Sequence, residues 1–414
     1  MRGFSILLLC VASLYALTLD EAIDRAMENS PAIKKAKSSV NYAKTGILEA
    51  EAGFHPSVDV GFSWQDTDAT TAFGFSPSYY YNLSAKYNLF NGFSDKANVN
   101  SKEFQTEAQK LLLMAQKSDI KLEVTGVYAT FLKAKKSIQT QEEEFTSLNR
   151  SYSDANVRFE QGMIAKNELL LIDVQRLKSQ QSLIVAKSNL KKSRYMLWRA
   201  LGGVLEKEEP IEDIKLDMYA VEEFDVLLKK TYETRSELNA LYKQRDSLKS
   251  EQSVITGNFY PHVDISANYL LNDKERYAGV TLVQVKDQIQ TKINATWNLY
   301  NGRADEAKRR GVMEKITTQN IDIDAMKLDL EYQLNDAYES YEVAKSQMDV
   351  SKKTLESAME NYRITNDRYE YGQIDTLNLL TAQSDLTAAR NDYNSAGYDM
   401  YVAIATIKRI SGDD

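Results

Sequence analysis

The sequence predicts a mixed α and β fold: a membrane β-barrel to which each chain gives four strands, continued by a long antiparallel α-helical coiled coil. Three observations predict it. The chain carries the same unit twice, each copy holds two runs of strictly alternating polar and apolar residues, and each copy holds a span of about 70 residues without proline, long enough for a helix of about 100 Å.

The N-terminus sets the compartment. Met1-Arg2 precedes an apolar run from Phe4 to Ala12, and Ala16 offers a small residue for cleavage, so residues 1–16 read as a secretory signal peptide. The one cysteine, Cys10, lies inside that run, which leaves the rest of the chain without disulfides, thiolate metal sites or a cysteine nucleophile. Losing Arg2 takes the formal charge from −8 to −9, and an acidic chain is a poor nucleic-acid partner because phosphate binding needs clustered Lys and Arg. No later stretch is apolar enough for a membrane-spanning helix, so a membrane crossing would need a closed barrel. Five prolines and 17 glycines in 414 residues leave long stretches free for helix, and 25 tyrosines suit amphipathic interfaces.

The repeat is read from matched segments. Gly53-Phe54-His55-Pro56 answers Asn258-Phe259-Tyr260-Pro261 at an offset of 205. Leu89-Phe90-Asn91-Gly92 answers Leu299-Tyr300-Asn301-Gly302, and Arg158-Phe159-Glu160-Gln161-Gly162 answers Arg368-Tyr369-Glu370-Tyr371-Gly372, both at 210. The change of offset places an insertion in a hairpin tip of the second copy. The first repeat is then 17–203, with a helix, a hairpin at about 56–90, a long helix at about 92–161 and a helix at about 165–200. An acidic linker, 204–217, leads to the second repeat, 218–412, with a helix, a hairpin at about 261–300, a long helix at about 302–371 and a helix at about 374–410.

Local signals support each element. Thr18-Leu19-Asp20-Glu21 is a capping box, and Ser30-Pro31 restarts the first helix after a break. In the strands Val60, Phe62, Leu83, Tyr87, Ile265, Ile293 and Trp297 fall on one face, and Asp59, Ser63, Ser84, Lys86, Asp264, Ser266, Lys292 and Asn294 on the other. Alternation alone also suits an ordinary half-buried sheet. The signal peptide, the strand lengths and the aromatics at strand ends favour a barrel with lipid outside and a watery lumen. In the long helices Val124, Val127, Phe131, Ala134 and Ile138 open a stripe of 3-and-4 steps that runs to Phe159, mirrored from Leu334 to Tyr369, which is a coiled-coil seam. The shorter helices of a repeat together match the long one, which suggests columns of equal height. Four strands cannot close a barrel, and an open edge is forbidden in lipid, so the barrel reading demands several copies.

In this order, twice over nearly the whole mature chain, these residues resemble the TolC-like outer membrane efflux protein family (outer membrane factors). The resemblance rests on Leu17-Thr18-Leu19-Asp20-Glu21-Ala22 with Asn29-Ser30-Pro31, on Leu89-Phe90-Asn91-Gly92, and on Arg368-Tyr369-Glu370-Tyr371-Gly372 through Leu379-Leu380-Thr381-Ala382-Gln383. It implies a homotrimer with a twelve-stranded barrel in the outer membrane of a Gram-negative bacterium and a helical tunnel in the periplasm. It also implies a periplasmic adaptor and an inner-membrane pump as partners, outer-membrane lipid around the barrel, and export of drugs, toxic small molecules or proteins. The turns at Gly162 and Gly372 would then form the periplasmic entrance and adaptor contact, with Met163, Ile164, Asn167, Glu168, Tyr369, Asp375 and Asn378 around it. The best-known members carry acids six and nine positions after the second turn glycine, where this chain has Asn378 and Thr381; its acids near the turns are Asp375 and Glu168.

No Walker loop, dinucleotide fingerprint, nucleophile elbow or zinc spacing is present, and His55 and His262 are not aligned between the repeats. The carboxylates lie among Lys and Arg on helix faces, as on solvated surfaces. No catalytic, cofactor or metal residue is therefore expected, and the chain reads as a non-enzyme. Two alternatives stay open: a secreted or periplasmic coiled-coil structural or adhesive protein without a barrel, and a duct for protein (type I) secretion in place of efflux.

Overall fold

The computed structural model describes residues 16–65, 78–215, 221–272 and 287–413. The signal-peptide expectation for the leading residues, the hairpin tips and part of the linker lie outside them. The elements run α1 (Leu19–Asn29), α2 (Pro31–Glu51), β1 (Ser57–Gln65), β2 (Ser78–Asn91), α3 (Ser94–Glu160) and α4 (Lys166–Ala200), then α5 (Phe224–Thr234), α6 (Ser236–Thr256), β3 (His262–Asn272), β4 (Asp287–Thr296), α7 (Ala304–Glu370) and α8 (Thr376–Ser411). The helix–hairpin–helix–helix order thus occurs twice, and α3 and α7 are each 67 residues long. Chain contacts divide the molecule into two compact units. One takes the residues up to Ala36, Leu113–Ser236 and the residues from Lys327 on; the other takes Lys37–Leu112 and Glu237–Met326.

The second of these units holds an antiparallel sheet in the order β1-β2-β3-β4. Its register keeps the alternation of every strand in phase. Val60 stands opposite Leu83, Leu83 opposite Tyr269, and Ile265 opposite both Tyr87 and Ile293. A one-residue slip would move a whole strand's apolar set to the other face, so this agreement fixes the register. A bulge between Asn88 and Phe90 absorbs one residue where β2 leaves the sheet. Trp297, which the alternation puts on the apolar face of the last strand, lies one residue beyond β4, which ends at Thr296 opposite His262. The next partner would be Pro261, which has no amide hydrogen to donate. The Trp297 indole N–H instead donates to the Phe259 carbonyl at 3.1 Å.

The other unit is helical. Every position of the 3-and-4 stripe from Val124 to Phe159, and from Leu334 to Tyr369, is buried or half-buried. One core gathers Leu17, Ala22, Ala26, Val124, Tyr128, Phe131, Leu197, Leu201 and Ile211; a second gathers Leu227, Leu334, Tyr341, Met400, Ile404 and Ile407. The capping box at Thr18 and Glu21 forms. The break after α1 recurs between α5 and α6 at Arg235, where no proline requires it. Arg235 is buried there and donates to the Arg409 carbonyl, so tertiary contact replaces backbone restriction.

The linker is strapped to this unit. Leu17 and Ile211 form a parallel bridge, with Leu17 N–H donating to the Pro210 carbonyl at 2.8 Å and Glu212 N–H to the Leu17 carbonyl at 3.0 Å. The buried Tyr128 hydroxyl lies 2.8 Å from the Leu17 carbonyl and 2.7 Å from that of Glu212. Arg25 forks onto Glu209 at 2.8 and 3.0 Å, and Asp213 accepts from Tyr398 at 2.6 Å and pairs with Lys136 at 2.9 Å. Burial pushes the Asp213 carboxyl up, but the bonds from Tyr398 and Lys136 outweigh it and hold the group below the usual carboxylate range. A carboxyl lowered in the folded state stabilises above its unfolded pKa and loses that contribution as pH falls through the lowered value. Asp213→Asn is therefore expected to lower the urea midpoint at neutral pH, with the gap to the native chain closing on acidification; a gap that does not depend on pH would dismiss the charge as its cause.

Candidate functional site

Two places can serve a channel: the wall of the sheet and the turns that join the long helices to the shorter ones. In the wall, the register brings Val60, Phe62, Leu83, Tyr87, Ile265 and Ile293 onto one face across all four strands. That face is bare: Val60 is 82% and Ile293 66% exposed. A half-buried sheet of an ordinary domain would cover its apolar face and wet the other. The opposite face carries Asp59, Ser63, Ser84, Lys86, Asp264, Ser266, Lys292 and Asn294. Lys86 and Lys292 flank Ser266 from the two neighbouring strands, and Lys86 lies 3.9 Å from Asp264. Both outer edges, β1 and β4, have no neighbouring strand among the described residues.

The turns are built alike. α3 and α7 each end in a glycine of positive φ, Gly162 at 74° and Gly372 at 70°. In each, the glycine amide donates back three residues (Gly162 to Phe159, Gly372 to Tyr369) and the following amide five (Met163 to Arg158, Gln373 to Arg368), at 2.8–3.0 Å. This closes the last carbonyls of the helix, and only glycine adopts the left-handed conformation freely. Met163 is 70% exposed and Asn167 is exposed at the start of α4. Ile164 instead packs on a small core of Leu148, Ala155, Ile172 and Leu380, which makes it a structural residue of the turn.

The polar residues of the turns have definite tasks. Asp375 is the N-cap of α8 and accepts from the Asn378 backbone and side chain, both at 2.9 Å. α4 begins at Ala165 without a side-chain cap, and Glu168 in its first turn accepts from the Thr376 hydroxyl at 3.2 Å. The Arg158 guanidinium stands over the Tyr369 ring, 5.6 Å from its centre. The two turns therefore touch through Glu168–Thr376 and Arg158–Tyr369. Sequence reasoning missed Thr376 and Arg158, because nothing local marks a contact between turns more than 200 residues apart. Asp375→Ala should cost about 1 kcal/mol through the lost cap, and Asp375→Asn much less. Equal thermal shifts for the two would reject the capping role.

Among the described residues no group of His, Cys, Asp and Glu is arranged to hold a metal ion, and no helix is long and apolar enough to cross a membrane.

Comparison with known proteins agrees with this geometry. The model of the family described as outer membrane efflux protein matches residues 22–203 and 227–413, one match per repeat. The outer membrane efflux protein BepC of Brucella suis biovar 1 is 17% identical over 396 residues, covering 95% of this chain and 85% of its own. Protein CyaE of Bordetella pertussis is 22% identical over 391 residues, covering 90% and 79%. The solved CmeC outer membrane channel of Campylobacter jejuni superposes with a TM-score of 0.80 at 14% identity, over 95% of this chain and 85% of that one. The chain belongs to the outer membrane efflux protein family.

Proposed function

We propose that this outer-membrane efflux channel works as a homotrimer in a Gram-negative bacterium. It takes small toxic molecules or drugs from an inner-membrane pump, through a periplasmic adaptor, to the outside. The observation that carries this reading is the sheet: an exposed apolar face, a polar face, and two unpaired edges. Hydrocarbon offers no partner for the amides of a free edge, so the sheet must be closed by further copies. Two copies would make eight strands, whose interior side chains fill; three make twelve and leave a lumen. In that barrel Val60, Phe62, Leu83, Tyr87, Ile265 and Ile293 meet lipid, and Asp59, Lys86, Asp264, Lys292 and their neighbours line the water path. The turns at Gly162 and Gly372, with Met163, Asn167, Glu168, Tyr369, Asp375 and Asn378, form the periplasmic entrance that the adaptor meets.

Mass measurement in detergent should give a trimer, and a stable detergent-free monomer would overturn the assembly. Single cysteines stepped along β1 and β3 should react with a charged thiol reagent in alternation, whereas uniform labelling would reject a lipid face and a lumen face. For the cargo, loss of the gene should sensitise the bacterium to toxic small molecules, and a knockout with unchanged drug tolerance but a lost secreted protein would assign the duct to protein secretion.

A further inference from the structure

The polar face of the sheet is not evenly polar. Its register lines up Ser57, Lys86, Ser266 and Lys292 as one row across all four strands. Every side chain of that row ends in a hydrogen-bond donor, and none is an acid. Among the described residues, the carboxylates of this face stand in the rows to either side: Asp264 opposite Asn88 and Asn294, and Asp59 opposite Ser84. They hold the lysines loosely. Lys86 reaches Asp264 only at 3.9 Å, beyond hydrogen-bond length, and its side chain is 62% exposed. Lys292 is exposed and pairs with no carboxylate among the described residues. On the helices, by contrast, Lys243 meets Glu107 at 2.6 Å and Lys136 meets Asp213 at 2.9 Å. Neighbouring strands lie about 4.8 Å apart, which sets the two lysine backbones about 10 Å apart with Ser266 between them. Like charges at that distance repel, and no acid of the row offsets it.

We infer that Lys86, Ser266 and Lys292 form an anion station in the wall, at which organic carboxylates or sulfonates dwell on their way through the lumen. This rests on the channel reading above and names a substrate class for it. Two ammonium groups on flexible stems can close on one oxyanion from either side, while the Ser266 hydroxyl donates from between them. In an assembly of three copies the row recurs at one level and becomes a ring of six lysines, the arrangement by which a pore prefers anions. A narrow lumen lined by one sign of charge also concentrates ions of the other. Each contact is open to water and therefore weak, so an anion is held briefly and then released, as conduction requires. The acids in the flanking rows bound the station along the wall and confine the positive band to one level.

Planar bilayers read the station directly. Under a potassium chloride gradient, Lys86→Gln with Lys292→Gln should lower the chloride-to-potassium permeability ratio by about threefold, and Lys86→Arg with Lys292→Arg should keep it. Inorganic sulfate probes the site itself. It should reduce the chloride current of the native channel, and the glutamine pair should need about tenfold more sulfate for the same reduction. Ser266→Ala removes a donor and no charge, so it should weaken the sulfate effect while leaving the permeability ratio unchanged. That variant decides the matter even if the glutamine pair fails to assemble. A native channel indifferent to sulfate, or a native sulfate response in either assembled variant, would overturn the station and leave the channel reading standing. A native chain that forms no channel at all would overturn both.

Discussion

Ile293→Arg is expected to remove assembled channel from the membrane while leaving the helices of the chain folded. Ile293 is exposed at the centre of β4 and shares its face with Ile265 and Leu83 through the register. In a barrel wall it faces lipid, where an arginine near the bilayer centre costs about 2–4 kcal/mol. The site occurs once per chain, so a trimer bears that cost three times, on the order of 6–12 kcal/mol, which is comparable to the whole stability of a domain. The neighbouring Asn294→Arg, on the polar face, adds a charge where water is available and should leave assembly intact. Heat-modifiable mobility and yield from outer-membrane fractions would read both. Equal loss for both variants would mean that the sheet tolerates no charge on either face and has no lipid side.

The same contrast explains which parts of the fold were legible in the sequence. Strand faces follow from a period of two and need no tertiary information, so Val60 and Asp59 could be assigned by inspection. The seam from Val124 to Phe159 was legible for the same reason, since coiled-coil packing is a matter of spacing. The break at Pro31 was announced by its proline. The matching break at Arg235 was not, because a buried guanidinium holds it by donating to a carbonyl 174 residues away. Arg409, itself 5% exposed, binds Asp119 at 2.7 Å across the same unit, and neither residue carries a local mark of it. At the end of β4 the alternation continues past Thr296, while pairing stops at Thr296, where the next partner, Pro261, has no amide hydrogen. Alternation reports which way a side chain points and says nothing of whether a partner strand is there.

If the turns at Gly162 and Gly372 form the entrance, Tyr369→Ala combined with Asp375→Asn should raise single-channel conductance in planar bilayers without changing the stability of the assembly. Tyr369 ends the seam of α7, and its ring is covered by Arg158 of the other repeat. That contact joins the two turns of one chain. If the closed entrance depends on it, removing the ring frees one turn from the other. An exposed cation–π contact is worth about 0.5–1 kcal/mol, so its loss shifts a closed–open balance by roughly two- to fivefold per chain. Asparagine is the right change at 375 because it keeps the cap on α8 and removes only the charge. With alanine there, a loosened helix start would raise conductance for a reason unrelated to charge. Glu168 offers an internal check, since Glu168→Gln keeps the bond to Thr376 and changes the charge alone. If the two acids set ion preference at the rim, Asp375→Asn and Glu168→Gln should each lower the cation-to-anion permeability ratio while Tyr369→Ala leaves it unchanged. An assembled triple variant with native conductance and native ion preference would place the constriction away from these turns.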